Sequence, residues 1–193
     1  MNATPVASAG PLQEPVTLAE LKDYMRVDTN DEDDLIRTLG IAAREWVEQW
    51  TGRALIQQTW DNYWETWQDP FIVSRTNLVS VTHVKYQDAD NAQQTLTNTI
   101  YSVDTDSEPG LVHLAYQQTY PTNLVIENSI VIRFIAGYGL TTDDVPEAIR
   151  AAIKLLANDK FQNRGCSPET GASATAAQSL LYNYRVHGVD WNA

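Results

Sequence analysis

The sequence predicts an α+β protein in which a helical domain of three to four helices carries an inserted, small and mostly antiparallel β-sheet unit. Apolar residues recur at helical spacing near the start of the chain and again after residue 140, and the segment between them alternates apolar and polar residues as strands do. Hydrophobic residues make up 43% of the 193 residues and charged residues 20%, an ordinary globular composition. We therefore expect a discontinuous helical domain over residues 17–53 and 140–164, with the β insertion over residues 54–139.

The first two predicted helices begin and end at recognisable residues. Thr17 and Glu20 form a capping box in front of a helix over residues 17–27. The second helix starts at the acidic residues 31–34, whose charges favour the positive end of the helix dipole, and Gly52 ends it. Its apolar stripe consists of Leu35, Ile36, Leu39, Ala43, Trp46, Val47 and Trp50.

The central segment has the composition of strands. Residues 55–67 fit helical spacing as well, but their enrichment in Thr, Trp and Tyr favours a strand. Residues 130–136 form a β-rich run with few polar interruptions, which predicts a central strand buried on both faces. Alternation predicts further short strands over residues 79–86, 94–96, 100–103 and 111–114.

The two ends of the chain differ from its middle. Asp143, Asp144 and Pro146 mark the start of a third helix. Residues 1–16 hold almost no large side chains that could offset the entropy of ordering, so we expect a flexible arm. Residues 165–193 read as a small, polar linker followed by a docking tail. The sequence shows neither a secretory signal nor the ~20 apolar residues of a membrane span, so we expect folding in a cytoplasm.

Charge and motifs exclude several classes of function. The chain has 13 Lys and Arg against 25 Asp and Glu, a net charge of −12, which argues against a general DNA-binding surface. A single Cys excludes an intramolecular disulfide framework or a Cys-rich zinc site. Phosphate-binding glycine motifs, a nucleophile elbow and metal-spaced histidines are not found, so we expect no enzyme, cofactor or metal. A hydrolase using paired carboxylates such as Asp61 and Glu65 is the least supported alternative.

Three groups of residues are candidates for binding. The acidic group could be a functional surface or a solvated helix cap, and the aromatic group could pack in a core, form an interface or stack on sugar rings. The C-terminal group is too short to build a core alone and must dock on its own domain or on a partner. The acidic group is Asp28, Asp31, Glu32, Asp33 and Asp34; the aromatic group is Trp60, Tyr63, Trp64 and Trp67; the C-terminal group is Leu180, Leu181, Tyr182, Tyr184 and Arg185.

Seven blocks of sequence are spread in order over about residues 16–186, a span that is most of the chain: residues 16–22 (VTLAELK), 31–36 (DEDDLI), 42–48 with 51–53, 79–81 with 84–88, 136–139 (AGYG), 145–153 (VPEAIRAAI) and 179–185 (SLLYNYR). Taken in this order, they resemble the head-tail connector (adaptor, or head-completion) family of tailed bacteriophages. Two positions depart from the family pattern: a Pro is common just before the strand at Val79, where this chain has residues 74–77, and a Pro is common where Asn183 stands.

This resemblance implies a structural virion protein without catalytic residues. Copies of such a protein form a ring, typically twelve-fold, beneath the portal, extend the DNA channel and offer a platform to the next neck or tail protein. DNA would pass without specific binding, and the protein would be in the host cytoplasm during assembly. We expect the C-terminal group to dock on the portal, the acidic group to line the channel, and the aromatic group to lie at a subunit or ligand interface.

Two alternatives remain open at this point. One is a tail-completion or stopper protein that acts further from the capsid. The other, from a different class, is a carbohydrate-binding β module that uses the aromatic group.

Overall fold

The computed structural model describes residues 2–5, 11–122, 129–164 and 171–186, and the side chains of all of these except residues 2–5. It confirms the α+β fold class. The chain divides into a helical unit, Gln13–Ile56 with Tyr138–Arg185, and a β unit built on Gln57–Gly137. None of the helices in the described part has the length and apolar character that crossing a bilayer requires.

The helical unit contains four described helices, α1 to α4, and two single 3-10 turns. The turns lie at Thr142–Asp144 and Tyr182–Tyr184. The helices are α1 (Leu18–Met25), α2 (Asp33–Thr51), α3 (Glu147–Gln162) and α4 (Ala172–Leu181).

Local sequence signals set the bounds of α1 and α2. The Thr17 hydroxyl accepts from the Glu20 backbone N–H at 3.3 Å, and the Glu20 carboxylate accepts from the Thr17 N–H at 2.9 Å, as the capping box predicts. Gly52 ends α2 in the left-handed region, with φ 74°, as predicted. The two helices cross closely, because a Cβ at Gly40 would lie 2.6 Å from Leu21 Cδ1.

The core of the helical unit draws on all four helices. Ile36 and Val47 of α2, Ile149 and Ile153 of α3, and Leu181 at the end of α4 are all buried in one cluster. Burial of side chains of this size supplies most of the free energy that holds helices of this length in place.

The fourth helix differs from the predicted linker over residues 165–179. Small residues suggested a linker by composition, but α4 is rich in Ala, which has the highest helix propensity. Ala177 and Leu181 anchor the helix in the core of the helical unit. Tertiary packing therefore fixes a segment that composition alone leaves ambiguous. The remainder of the predicted linker, residues 165–170, lies outside the described residues.

The β unit contains two antiparallel sheets. Strand β8 is the middle strand of the larger one, as predicted from its apolar run. The five-stranded sheet has the order β1-β2-β8-β4-β5, and the three-stranded sheet has the order β3-β7-β6. The strands are β1 (Asn2–Pro5), β2 (Gln58–Trp64), β3 (Phe71–Ile72), β4 (Leu78–Gln87), β5 (Gln93–Leu96), β6 (Tyr101–Asp104), β7 (Leu111–Leu114) and β8 (Ile130–Ala136).

Strand β8 is not buried on both faces. Ile130, Ile132 and Phe134 point into the core of the β unit, whereas Val131 and Ile135 on the opposite face are only half-buried. The prediction of two buried faces is therefore wrong for the single chain, although the sequence supplies apolar residues on both.

Within the predicted arm over residues 1–16, the structure describes residues 2–5 and 11–16, and both stretches make contacts with the rest of the chain. β1 pairs antiparallel with β2, which would otherwise be an open edge with unpaired backbone groups. Further on, the Gln13 amide donates to the Thr142 hydroxyl at 2.8 Å, and Val16 is buried in the helical core. The expectation of a loose arm rested on side-chain size, which takes no account of backbone pairing.

A group of ions ties α1 to α3. Glu20 accepts from Arg150 and, at 3.1 Å, from Lys154 Nζ. Burial raises the pKa of the Glu20 carboxyl, but the hydrogen bonds from Thr17 and Lys154 and the Lys154 charge outweigh burial and lower the pKa to about 2. Glu20 is therefore a helix cap and an anion for α3 at the same time.

The substitution Glu20→Gln should lower the free energy of unfolding at pH 7 by about 1 kcal/mol, allowing for solvent screening. The amide keeps an acceptor for the capping box and removes only the charge. Because the pKa falls from the usual 4.5 to about 2 on folding, the contribution is present above pH 4.5 and is lost as the pH falls to 2. Thermal unfolding between pH 7 and pH 2 should show the two curves converging in acid, and a constant gap would contradict this.

Candidate assembly surfaces

The acidic group lies in the loop after α1 and in the first turn of α2. Asp33 pairs with Lys22 Nζ at 2.7 Å, Asp34 pairs with Arg37 Nη1 at 2.7 Å, and Glu32 pairs with Arg164. Asp28 and Asp31 are exposed and make no ion pair with any residue that the structure describes. The segment therefore offers less free negative charge than its sequence suggests.

A buried ion group lies further along α2. Arg44 Nη1 donates to Glu48 at 2.6 Å, Arg44 Nε donates to Glu14 at 2.9 Å, and Glu48 also accepts from the Leu55 N–H at 3.0 Å. Burial lowers the pKa of Arg44, but the two carboxylates outweigh burial and raise it. The side chains of Arg44 and Glu48 are both nearly inaccessible to solvent, so this group holds α2 in place within the helical unit.

The C-terminal group divides into anchoring and exposed residues. Leu181 has none of its surface exposed, and the Tyr184 carbonyl accepts from Arg53 Nε at 2.6 Å. Leu180 and Tyr182 are 42% and 64% exposed. The segment is docked on its own helical unit, one of the two outcomes that the sequence left open, and it still presents large side chains to solvent.

Trp50 of α2 contacts the C-terminal group, and Trp46 stacks on Trp50. Trp46 and Trp50 stack with ring centroids 6.2 Å apart, and the Arg185 guanidinium lies 4.9 Å from the Trp50 ring centroid. Sequence analysis assigned both tryptophans to the core stripe alone. Their spacing of four residues on one helix face is a signal that could have revealed the stack.

The aromatic group does not form an exposed row. Trp60 and Trp64 are only 5% and 8% exposed and face the core of the β unit, whereas Tyr63 lies on the opposite face of the sheet. Trp67 stacks on Tyr120 with centroids 4.5 Å apart. A sugar-stacking platform needs free ring faces, so the burial of two of its four members removes the basis of the carbohydrate-binding alternative.

The candidate acid–base pair is also not assembled. Asp61 accepts both hydrogen bonds of a bidentate pair from Arg133, each at 2.8 Å. Glu65 lies beyond the end of β2 and is exposed. Among the described residues, no three His, Cys, Asp or Glu side chains come together as a metal-binding group.

Taken together, the described residues present exposed surfaces made of aromatic, arginine and acidic side chains. The fold that carries them is that of chains built into the neck of phage-like particles. This bears out, at the level of the fold, the resemblance to head-tail connectors that the sequence blocks gave. No protein-family model and no curated protein matches the chain.

Three solved structures of gene transfer agent (GTA) particles contain a chain with this fold. The neck of the empty particle, computed with C6 symmetry, has a chain that is 21% identical, with a TM-score of 0.81 over 98% of this chain and 97% of that chain. The neck of the native particle, computed with C12 symmetry, gives 19% identity and a TM-score of 0.79 over the same shares of the two chains. The virion of the native particle gives 21% identity and a TM-score of 0.76, again over 98% and 97%.

Proposed function

We propose that this chain is a structural neck protein of a phage-like virion, an adaptor subunit that docks on the portal and extends the DNA channel. The observation that carries the proposal is the likeness of nearly the whole chain, 98% of it, to chains of the GTA neck. The ordered sequence blocks shared with head-tail connectors support it independently. The role is structural, and the platform that the ring offers serves the next neck or tail protein.

The proposed assembly is a ring of twelve copies. Two of the similar chains come from necks computed with C6 and C12 symmetry, which supports cyclic assembly. A cyclic ring needs a heterologous interface, in which one surface of each copy contacts a different surface of the next.

Docking on the portal is assigned to the C-terminal group. Leu181 and Tyr184 hold the segment on the helical unit, so Leu180, Tyr182 and Arg185 provide the contact. Tyr and Arg are the residue types that carry binding energy at interfaces, and the Trp50 ring beneath Arg185 fixes that side chain in place.

The channel is assigned to the acidic group. Asp28 and Asp31 keep their charges unpaired within the described chain, and repetition around a ring would multiply them. A lumen of that sign repels the phosphate backbone and lets DNA slide without specific binding. A ring structure with a lumen dominated by Lys and Arg would contradict this assignment.

The double variant Leu180→Ser, Tyr182→Ser should bind portal rings at least about tenfold more weakly than the wild type, because the exposed apolar contact is removed. Mass photometry of the chain alone and with portal rings, at matched salt, measures this. The wild type should form a stoichiometric ring on the portal. Tyr24→Ser, at an exposed tyrosine of α1, is the matched control and should bind as the wild type does.

If the wild-type chain does not bind portal rings, the adaptor proposal is wrong. If that chain instead joins a preformed portal–adaptor complex, the protein acts one step further along, as a stopper or tail-completion protein. Full binding by the double variant would overturn the docking assignment alone.

A further inference from the structure

We call the face of the five-stranded sheet that lies opposite to the core of the β unit the open face. Pairing of β2, β8 and β4 places two rows of side chains on it: Asp61, Arg133 and His83 in one row, and Tyr63, Val131 and Lys85 in the next. Ile135 lies one row further along the same face of β8. The opposite face of the sheet carries the core residues of the β unit.

The open face is more apolar than a solvent-facing sheet surface. An antiparallel sheet with one wet face carries polar residues there. Here Val131 and Ile135 flank Arg133 on the central strand, and Tyr63 lies beside Val131, all half-buried. The single chain leaves Val131 and Ile135 partly exposed, so contact with a second surface would bury more of their apolar area.

Charge indicates what that surface is. The described β unit has three Lys and Arg, and two of them, Lys85 and Arg133, lie on the open face. The third, Arg75, lies 4.8 Å from the Trp60 ring centroid on the other side of the sheet. Burial, together with the neighbouring Lys85 and Arg133 charges, lowers the pKa of His83. Arg133 is neutralised by its bidentate pair with Asp61 on the same face, so the open face carries about one net positive charge, from Lys85, on a chain with a net charge of −12.

A surface of the opposite kind exists at the edge of the three-stranded sheet. Strand β6 is an edge strand, and its Val103 is 36% exposed. The strand ends at Asp104, and the turn that follows carries Asp106 and Glu108. Asp104 accepts from the Ser107 hydroxyl at 2.6 Å and from the Asp106 N–H at 2.9 Å. Hydrogen bonds from Ser107 and from the Asp106 N–H lower the pKa of Asp104 and hold the turn in one conformation.

We propose that the open face binds the β6 edge and the acidic β6–β7 turn of a second copy of this chain. The inference rests on the proposed ring, whose interface must join two different surfaces. Rotation about the ring axis keeps equivalent units of all copies at one height, so the β unit of one copy can contact the β unit of the next. Apolar contact with Val131 and Ile135 supplies area, and opposite charges at the rim set the register.

Charge reversal tests the contact. The Lys85 side chain donates an exposed hydrogen bond to Gln93, and the Asp106 side chain is exposed. We therefore expect charge reversal at either residue to leave the fold intact. Lys85→Glu and Asp106→Lys should each raise the concentration needed for ring formation on portal rings about tenfold or more, and the double variant should restore it to within about threefold of the wild type. The matched control, Lys160→Glu on the exposed part of α3, should assemble as the wild type does.

Mass photometry at low and physiological salt, with melting temperatures for each variant, distinguishes the outcomes. Weak single variants with a rescued double variant support the interface. Normal rings from both single variants, or a double variant that is not rescued, overturn this contact and leave the neck role standing. A wild-type chain that forms no ring overturns the proposed function, and the interface with it.

Discussion

Leu181→Ala should lower the free energy of unfolding of the helical unit by about 3 kcal/mol, because it leaves a cavity where a fully buried side chain closes the core between α3 and α4. Urea unfolding followed by far-ultraviolet circular dichroism measures the change. The neighbouring Leu180 is 42% exposed, so Leu180→Ala is the matched control and should cost less than about 0.5 kcal/mol. Equal losses in the two variants would contradict the burial of Leu181.

The burial of Leu181 also changes the expected effect of truncating the C-terminal residues. If the C-terminal group only docked on a partner, removing residues 175–193 would abolish portal binding and leave the fold intact. Ala177 and Leu181 belong to the helical core, so this truncation should instead destabilise the fold itself. Point variants at Leu180 and Tyr182 therefore separate docking from stability, and a truncation does not.

Arg44→Met should destabilise the chain by about 3 to 5 kcal/mol, because it removes the buried Arg44 guanidinium that pairs with the buried Glu48 carboxylate. The Leu55 N–H still donates to the Glu48 carboxylate, so that carboxylate keeps this hydrogen bond in the variant. Chemical denaturation at pH 7 measures the loss.

Arg37→Met is the matched control for Arg44→Met. Arg37 forms an exposed pair with Asp34 on the same helix at a spacing of three residues, and such pairs contribute about 0.2 to 1 kcal/mol. A loss at Arg37 as large as that at Arg44 would contradict the distinction between buried and exposed pairs.

Local signals explain which parts of the fold were predictable. The Thr17–Glu20 capping box and Gly52 depend on contacts within a few residues, and the structure has α1 and α2 where these signals place them. The short strand β3 was not predicted, because two residues give no alternation to detect. Strand β1 was not predicted either, because only its pairing with the distant β2 stabilises it.

The candidate surfaces were predictable in position but not in orientation. Sequence analysis singled out Leu180 to Arg185 as a unit, yet whether Leu181 or Leu180 faces the core depends on the exact phase of α4. Trp60 and Trp64 were identified as a group, but only strand register shows that both face inward. The stacking of Arg185 on Trp50 joins residues far apart in sequence, and no local pattern encodes it.

The interrupted helical unit also determines the order in which the chain can fold on the ribosome. Leu55 and Tyr138 lie side by side, since the Tyr138 N–H donates to the Leu55 carbonyl at 3.0 Å, so the chain leaves the helical unit and returns to it at the same place. All eight described strands have been synthesised once the chain reaches Ala136. At that point the core partners of Ile36 and Val47 in α3 and α4 have not yet been synthesised. The β unit can therefore fold first during translation, and the helical unit can complete its core only after α4 has been synthesised.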